Sequence, residues 1–213
     1  MDKKATYIKF AFIALILIIA YIPTFKWMSD RWNARDTYYS HGILVPFISF
    51  FIIWTKRHLL QSLKLNPSGL GWLFFIPAIL IHALSISFKV SFSSGFSLIF
   101  VLIGLILLSF GKEFLRQLLF PVLFLAFMIP LPEVAIVNLS FRLKIFAAQV
   151  STFIINKVGV PAVREGSIIR TAHAQLMVED PCSGIRSLIA LIALGALMAY
   201  FSNLSKVKKT ILF

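Results

Sequence analysis

The sequence predicts an all-α polytopic membrane protein. Three observations carry this: 59% of the 213 residues are hydrophobic, the mean hydropathy is +0.90, and the apolar residues fall in long unbroken runs. In lipid every backbone N–H and C=O must find a partner inside the protein, which leaves helices or a closed barrel. A barrel requires strict alternation of apolar and polar residues, and these runs do not alternate.

A spanning helix needs about 20 apolar residues, with about 17 to 25 tolerated. Six runs meet or approach this: 7–23, 42–55, 69–87, 93–110, 118–129 and 183–201. The second and fifth are short and are expected to extend through Tyr39 and Phe114. Lys206, Lys208 and Lys209 followed by Ile211, Leu212 and Phe213 look like the approach to a further span. The first run follows Lys3 and Lys4, as a secretory signal would, but Tyr21, Ile22 and Pro23 stand where a small-residue cleavage site is needed. It is read as an uncleaved first helix.

The basic residues of short loops set the orientation. With the N-terminus in the cytoplasm, the inner side collects Lys3, Lys4, Lys9, Lys56, Arg57, Lys64, Lys112, Arg116, Lys206, Lys208 and Lys209. The outer short loops hold Lys26, Arg31, Arg35 and Lys89. The formal net charge of +13 is accounted for by this topology and by anionic lipid. It forms no single patch, so no nucleic-acid partner is expected. The one cysteine can form no intramolecular disulfide, the four histidines show no zinc spacing, and no Gly-rich phosphate loop occurs. Neither metal nor cofactor is expected.

The segment from 130 to 182 is placed outside. Pro130-Leu131-Pro132 ends the preceding helix. From 133 to 156, Ile136, Leu139, Leu143, Phe146, Val150 and Phe153 recur at steps of three and four, while Asn138, Arg142, Gln149, Thr152 and Asn156 line the opposite stripe. This predicts an external amphipathic helix. Two readings of it stand: a helix lying on the membrane surface, or one whose polar stripe, with Asn138, Arg142 and Gln149, lines a substrate groove. Ile168 to Thr171 and Gln175 to Val178 then predict a small β-hairpin, with His173 as a solvated turn residue.

The hairpin runs directly into Glu179-Asp180-Pro181-Cys182-Ser183-Gly184-Ile185-Arg186-Ser187. Asp180 suits an N-cap and Pro181 a first helical position, which places Cys182 in the first turn of the last span. The helix dipole and Arg186, one turn on, favour the thiolate; Glu179 and Asp180 oppose it. The plain account of a lone cysteine is packing. Its position at the outer boundary beside an arginine makes a nucleophile an equal alternative.

This segment resembles the exosortase and archaeosortase family around its nucleophile, in the run Cys182-Ser183-Gly184-Ile185-Arg186-Ser187. A second likeness lies in Trp32, Asp36, Tyr39-Ser40-His41-Gly42 and Leu44-Val45-Pro46. The Pro130-Leu131-Pro132 turn and Gly166-Ser167-Ile168 fit as well, so the resemblance extends over about residues 27–201. Pro181 departs from the small residue common before the cysteine.

The resemblance implies a multi-pass cysteine protease and transpeptidase of the inner membrane that processes the C-terminal sorting signal of exported proteins. In bacterial members the signal is a Pro-Glu-Pro motif, a transmembrane helix and a basic tail, and sorting is linked to exopolysaccharide. Cys182 would be the catalytic nucleophile, Arg186 its support, and His41 either an interfacial anchor or part of the substrate site. The family also carries a later arginine and a histidine near a final helix, positions that fall beyond Phe213. Residues 1–213 are accordingly expected to be one exosortase-like domain lacking its C-terminal part, inactive as it stands, with eight spans when whole. The competing readings are a non-enzymatic membrane subunit of an export or polysaccharide system, and a membrane acyltransferase, which would place a histidine in a catalytic setting.

Overall fold

The computed structural model describes the backbone of residues 3–34, 37–178 and 182–202, and the side chains of residues 8–34, 37–178 and 184–202. The helices are α1 (Lys3–Ala20), α2 (Ile22–Trp32), α3 (Leu44–Thr55), α4 (Arg57–Ser62), α5 (Gly71–Ser87), α6 (Ser91–Ser109), α7 (Lys112–Phe124), α8 (Glu133–Lys157) and α9 (Cys182–Phe201). Strands β1 (Ala162–Glu165), β2 (Ile168–Thr171) and β3 (Gln175–Met177) lie between α8 and α9. Single 3-10 turns, Ser40–Ile43 and Leu125–Met128, lead into α3 and out of α7. The chain divides into two compact units, one of Met1–Pro130 with Ala190–Phe213 and the other of Leu131–Ile189.

The fold is mostly helical and membrane-type, as predicted, and among the described residues three helices, or four if one bent pair counts as a span, are long and apolar enough to cross, against the six runs expected. Ser91–Ser109, Glu133–Lys157 and Gly184–Phe201 are each long and apolar enough to cross, and α1 with α2 makes a fourth if the pair counts as one span. Ser40–Thr55 and Gly71–Ser87 are shorter apolar helices. The physical reasons are local. The first run does not stay straight: the helix axis turns by 62° at Tyr21. The fifth run yields α7, only 13 residues long, which opens on Lys112 and Glu113 and tightens into a 3-10 turn. Conversely, the 25 residues of α8 satisfy the length and hydropathy of a span, although its polar stripe suggested a helix outside the bilayer.

In the first unit α6 is central. Leu98, Ile99, Val101, Ile103, Leu105, Ile106 and Leu107 are all buried, covering more than one face, so no amphipathic pattern marks this helix. Its closest partner is α5, and small residues set their separation. A Cβ on Gly71 would lie 2.5 Å from Leu108 Cγ and 2.6 Å from the Gly104 carbonyl; one on Gly104 would lie 2.8 Å from the Phe75 nitrogen. Helices in lipid associate through such close backbone contacts, since lipid tails are as apolar as leucine.

The bend between α1 and α2 is held by a buried polar network. His82 of α5 reaches the Ala20 carbonyl through Nε2 at 3.2 Å and Ser94 Oγ through Nδ1 at 2.8 Å. Thr24 meets Ser94 at 2.6 Å, and Tyr21 meets Ser97 at 2.8 Å while its ring stacks on His82. Ala20 O can only accept, so Nε2 carries the proton. In neutral His82, Nδ1 then accepts from the Ser94 hydroxyl, which accepts from Thr24. Ser97 donates to the Ser94 carbonyl, so Tyr21 donates to Ser97. Every member of the chain has a role that its neighbour complements.

The far end of α9 docks in the same unit. Tyr200 stacks on Phe120 at 3.9 Å, and Lys56 lies over the Tyr200 ring while donating to the Gln117 carbonyl at 2.9 Å. Gly111 has φ of +96° and touches the Asn66 backbone, a conformation and a contact that only glycine permits.

The second unit is α8 with a three-stranded antiparallel sheet in the order β1-β2-β3. The expected hairpin is β2–β3, paired Ile168↔Met177, Ile169↔Leu176 and Arg170↔Gln175. Sequence reading missed β1, which pairs Val163↔Arg170 and Glu165↔Ile168 and is followed by the turn at Gly166, where φ is +62°. Ala148, Ala162 and Ile169 form the small core between helix and sheet.

Two outcomes test this packing. Gly104→Ala should destabilise the protein by about 1–3 kcal/mol, because its Cβ meets backbone that cannot give way, whereas Gly69→Ala, with open space around it, should change stability by less than about 0.5 kcal/mol. Thermal denaturation in detergent reads both. His82→Leu should cost about 1–3 kcal/mol by stranding the Ala20 carbonyl and the Ser94 hydroxyl, and Ser94→Ala combined with it should cost less than the sum of the two alone.

Candidate active site

Cys182 is the first residue of α9. Its side chain, that of Ser183 and the whole of Glu179, Asp180 and Pro181 lie outside the described residues, and with them the predicted N-cap. The backbone is sufficient to put the cysteine where the helix leaves its first N–H groups without intrahelical partners and where the dipole is positive. Arg186 is exposed and stands four residues on, hence on the same face. Ile185, between them, is 2% exposed and marks the buried side of the helix. Gly184 meets nothing within 4 Å where a Cβ would stand, so described groups leave room beside the start of the helix.

Asn138, Arg142 and Gln149 lie on one face of α8 and are exposed. They belong to the same unit as Cys182. The last part of that stripe has a structural use: Thr152 bonds back to the Ala148 carbonyl, and the Asn156 amide both donates to Ala162 O at 3.0 Å and accepts from Ala162 N–H at 2.8 Å. The opposite, apolar stripe is largely uncovered, with Phe146 and Phe153 each 63% exposed, as suits contact with lipid. His173 is exposed in the β2–β3 turn, where it was expected.

His41 belongs to the first unit. It lies in the 3-10 turn before α3, hydrogen-bonded to the backbone of Phe127, and its Nε2 is buried without a partner among the described residues. The motif around it has a packing logic. The Trp32 indole lies flat against Gly42, where a Cβ would collide with Nε1, and Nε1–H donates to the Met128 carbonyl at 2.9 Å. Trp32 and Gly42 thus tie α2 to the entries of α3 and the exit of α7. Asp36, quoted with them from the sequence, falls outside the described residues. Beside Trp32 lies an apolar cavity of about 530 Å³, whose walls include Phe25, Ile43, Phe47, Leu98 and Leu102.

Sequence reading did not identify the roles of Phe127, Met128 or the Ala20 carbonyl. These are main-chain partners, and a backbone atom leaves no residue-type signal. No cluster of three or more His, Cys, Asp or Glu able to hold a metal ion occurs among the described residues.

No curated protein and no solved structure matches the chain. A family model does: the one described as transmembrane exosortase matches residues 27–213. The matched region takes in Trp32, the Tyr39 to Gly42 motif, the whole second unit, Cys182 and Arg186. With most of its length matched, the chain belongs to the transmembrane exosortase family.

Proposed function

We propose that this protein is a membrane-embedded cysteine protease and transpeptidase that processes exported proteins bearing a C-terminal sorting signal of the Pro-Glu-Pro type, in a system linked to exopolysaccharide. The observation that carries the reading is the position of Cys182, the chain's one cysteine, at the opening of a membrane-length apolar helix inside the family match.

The chemistry follows from that position. The Cys182 thiolate attacks the carbonyl carbon of a peptide bond near the signal, forming the C–S bond and an oxyanion. The oxyanion collapses, the C–N bond breaks, and the amine leaves with the proton that the thiol gave up on ionising, relayed through water. The resulting thioester is attacked by an acceptor nucleophile or by water, which restores the thiol. A helix N-terminus stabilises both the thiolate and the oxyanion, and Arg186 adds a fixed positive charge that stays with the site through both steps. Asn138, Arg142 and Gln149, which share a unit with Cys182, are assigned to the substrate site.

The proposed orientation puts the N-terminus in the cytoplasm and Cys182 on the outer side of the inner membrane. Charge supports it over a crossing α8. If α8 spanned, α9 would reverse, and Lys206, Lys208 and Lys209 would lie opposite Lys56, Arg57 and Lys64, against the inside bias of basic loops.

Two measurements test the reading. In a form that carries the family's later arginine and histidine, Cys182→Ala and Cys182→Ser should each lower processing of a co-expressed exported protein carrying the Pro-Glu-Pro tail by at least about 1,000-fold, and Arg186→Gln by about 10- to 100-fold. Undiminished processing by the alanine variant would rule out covalent catalysis through this residue. In intact spheroplasts a membrane-impermeant maleimide should modify Cys182; modification only after the cytoplasmic face is opened would reverse the orientation.

A further inference from the structure

The sheet of the second unit has two edges, and they are treated differently. In β1–β2 the residues paired by mutual hydrogen bonds are Val163↔Arg170 and Glu165↔Ile168, which turns the N–H and C=O of Ala162 outward. Both are taken by the side-chain amide of Asn156, so this edge is closed where it begins. Next along, β1 carries the charged residues Arg164 and Glu165, and Arg170 of β2 pairs with Glu165 at 3.2 Å.

The β3 edge has none of these protections. Val178 N–H donates to Ser167 O and Thr171 N–H to Ala174 O, which fixes the phase of the β2–β3 ladder: Leu176 faces β2, while the N–H and C=O of Gln175 and Met177 point away from the sheet. Among the described residues no hydrogen bond meets those groups. All three β3 residues are exposed, and the strand holds no lysine, proline or bulge of the kind that blunts an edge. It is also the strand nearest the cysteine in sequence. Cys182 is five residues past Met177, at most about 18 Å of extended chain.

We propose that β3 is the docking edge for the polypeptide to be cleaved, which adds to the sheet as a fourth strand through the main-chain groups of Gln175 and Met177. The inference rests on the transpeptidase reading for the identity of its occupant. The occupant is an extended segment of the substrate and not a second copy of the chain. Two outward residues make too few bonds to hold a stable dimer, yet suit a peptide that must be held briefly and released. The main-chain bonds set register and are indifferent to side chain, so one edge serves many exported proteins that share only a short tail.

A scan of N-methylated peptides tests this without altering the protein. Fluorescent peptides spanning the Pro-Glu-Pro tail and its flanks, each N-methylated at one residue, are titrated against the Cys182→Ala protein in detergent. Methylation at alternate residues should weaken binding about tenfold and at the residues between them less than twofold. Met177→Pro, which removes an outward N–H and leaves the bonds of Leu176 and Val178 in place, should weaken the unmodified peptide by a similar factor; Met177→Leu should not. Losses without a period of two, or equal binding by Met177→Pro and its parent, would overturn the proposal. So would a dimer abolished by Met177→Pro with peptide binding intact, which would assign the edge to a second copy. Cleavage of the same peptides by the unsubstituted protein separates the two readings. For that comparison the protein is used in a form that carries the family's later arginine and histidine, and alternating binding without Cys182-dependent cleavage by that form would keep the docking edge and remove the transpeptidase.

Discussion

A carbonyl released by a bend inside an apolar bundle must find a donor within the protein, because no water is there to supply one. At Ala20 that donor is His82. The direction of α2 depends on this bond, since it is the bend at Tyr21 that sends α2 away from the line of α1. The position of Trp32 depends in turn on α2, and so does its seat on Gly42 and its bond to Met128. One imidazole in α5 therefore bears on the geometry of a motif whose members lie forty or more residues away on either side of it along the chain.

The second unit answers a different constraint. On the transpeptidase reading proposed above, a nucleophile must sit on a rigid element while the site admits a flexible chain. Cys182 opens α9, and a helix start is held by the hydrogen bonds that follow it, which supports the first part of that reading. The small sheet, whose outer strand offers backbone groups without requiring particular side chains, supports the second. Asn156 gives the arrangement its sidedness, since the edge it closes is the one that leads back to α8.

Much of this was legible in the residues. The helical membrane class followed from composition, the start of α8 from Pro130-Leu131-Pro132, and the β2–β3 hairpin from two short runs separated by a polar turn. The cysteine and its arginine stood out because their types are rare where they lie. What escaped has physical causes. The bend at Tyr21 carries no proline at the break itself and looks like an uninterrupted apolar run. Strand β1, Ala162–Glu165, ends in two charged residues and has no alternation to read. Hydropathy reports apolarity and not straightness or length, so the short α7 and the span-length α8 both differ from what their runs suggested. His82 was visible only as one histidine among four, because its partners include a main-chain carbonyl.

The hydrogen bonds around His82 carry an electrical consequence. A cation held within the bilayer would feel the membrane potential, at about 2.3 kcal/mol per elementary charge for each 100 mV crossed. The donor and acceptor roles at Ala20, Ser94 and Thr24 are all filled by the uncharged imidazole. The clamp that sets α2 therefore presents no net charge of its own to that field.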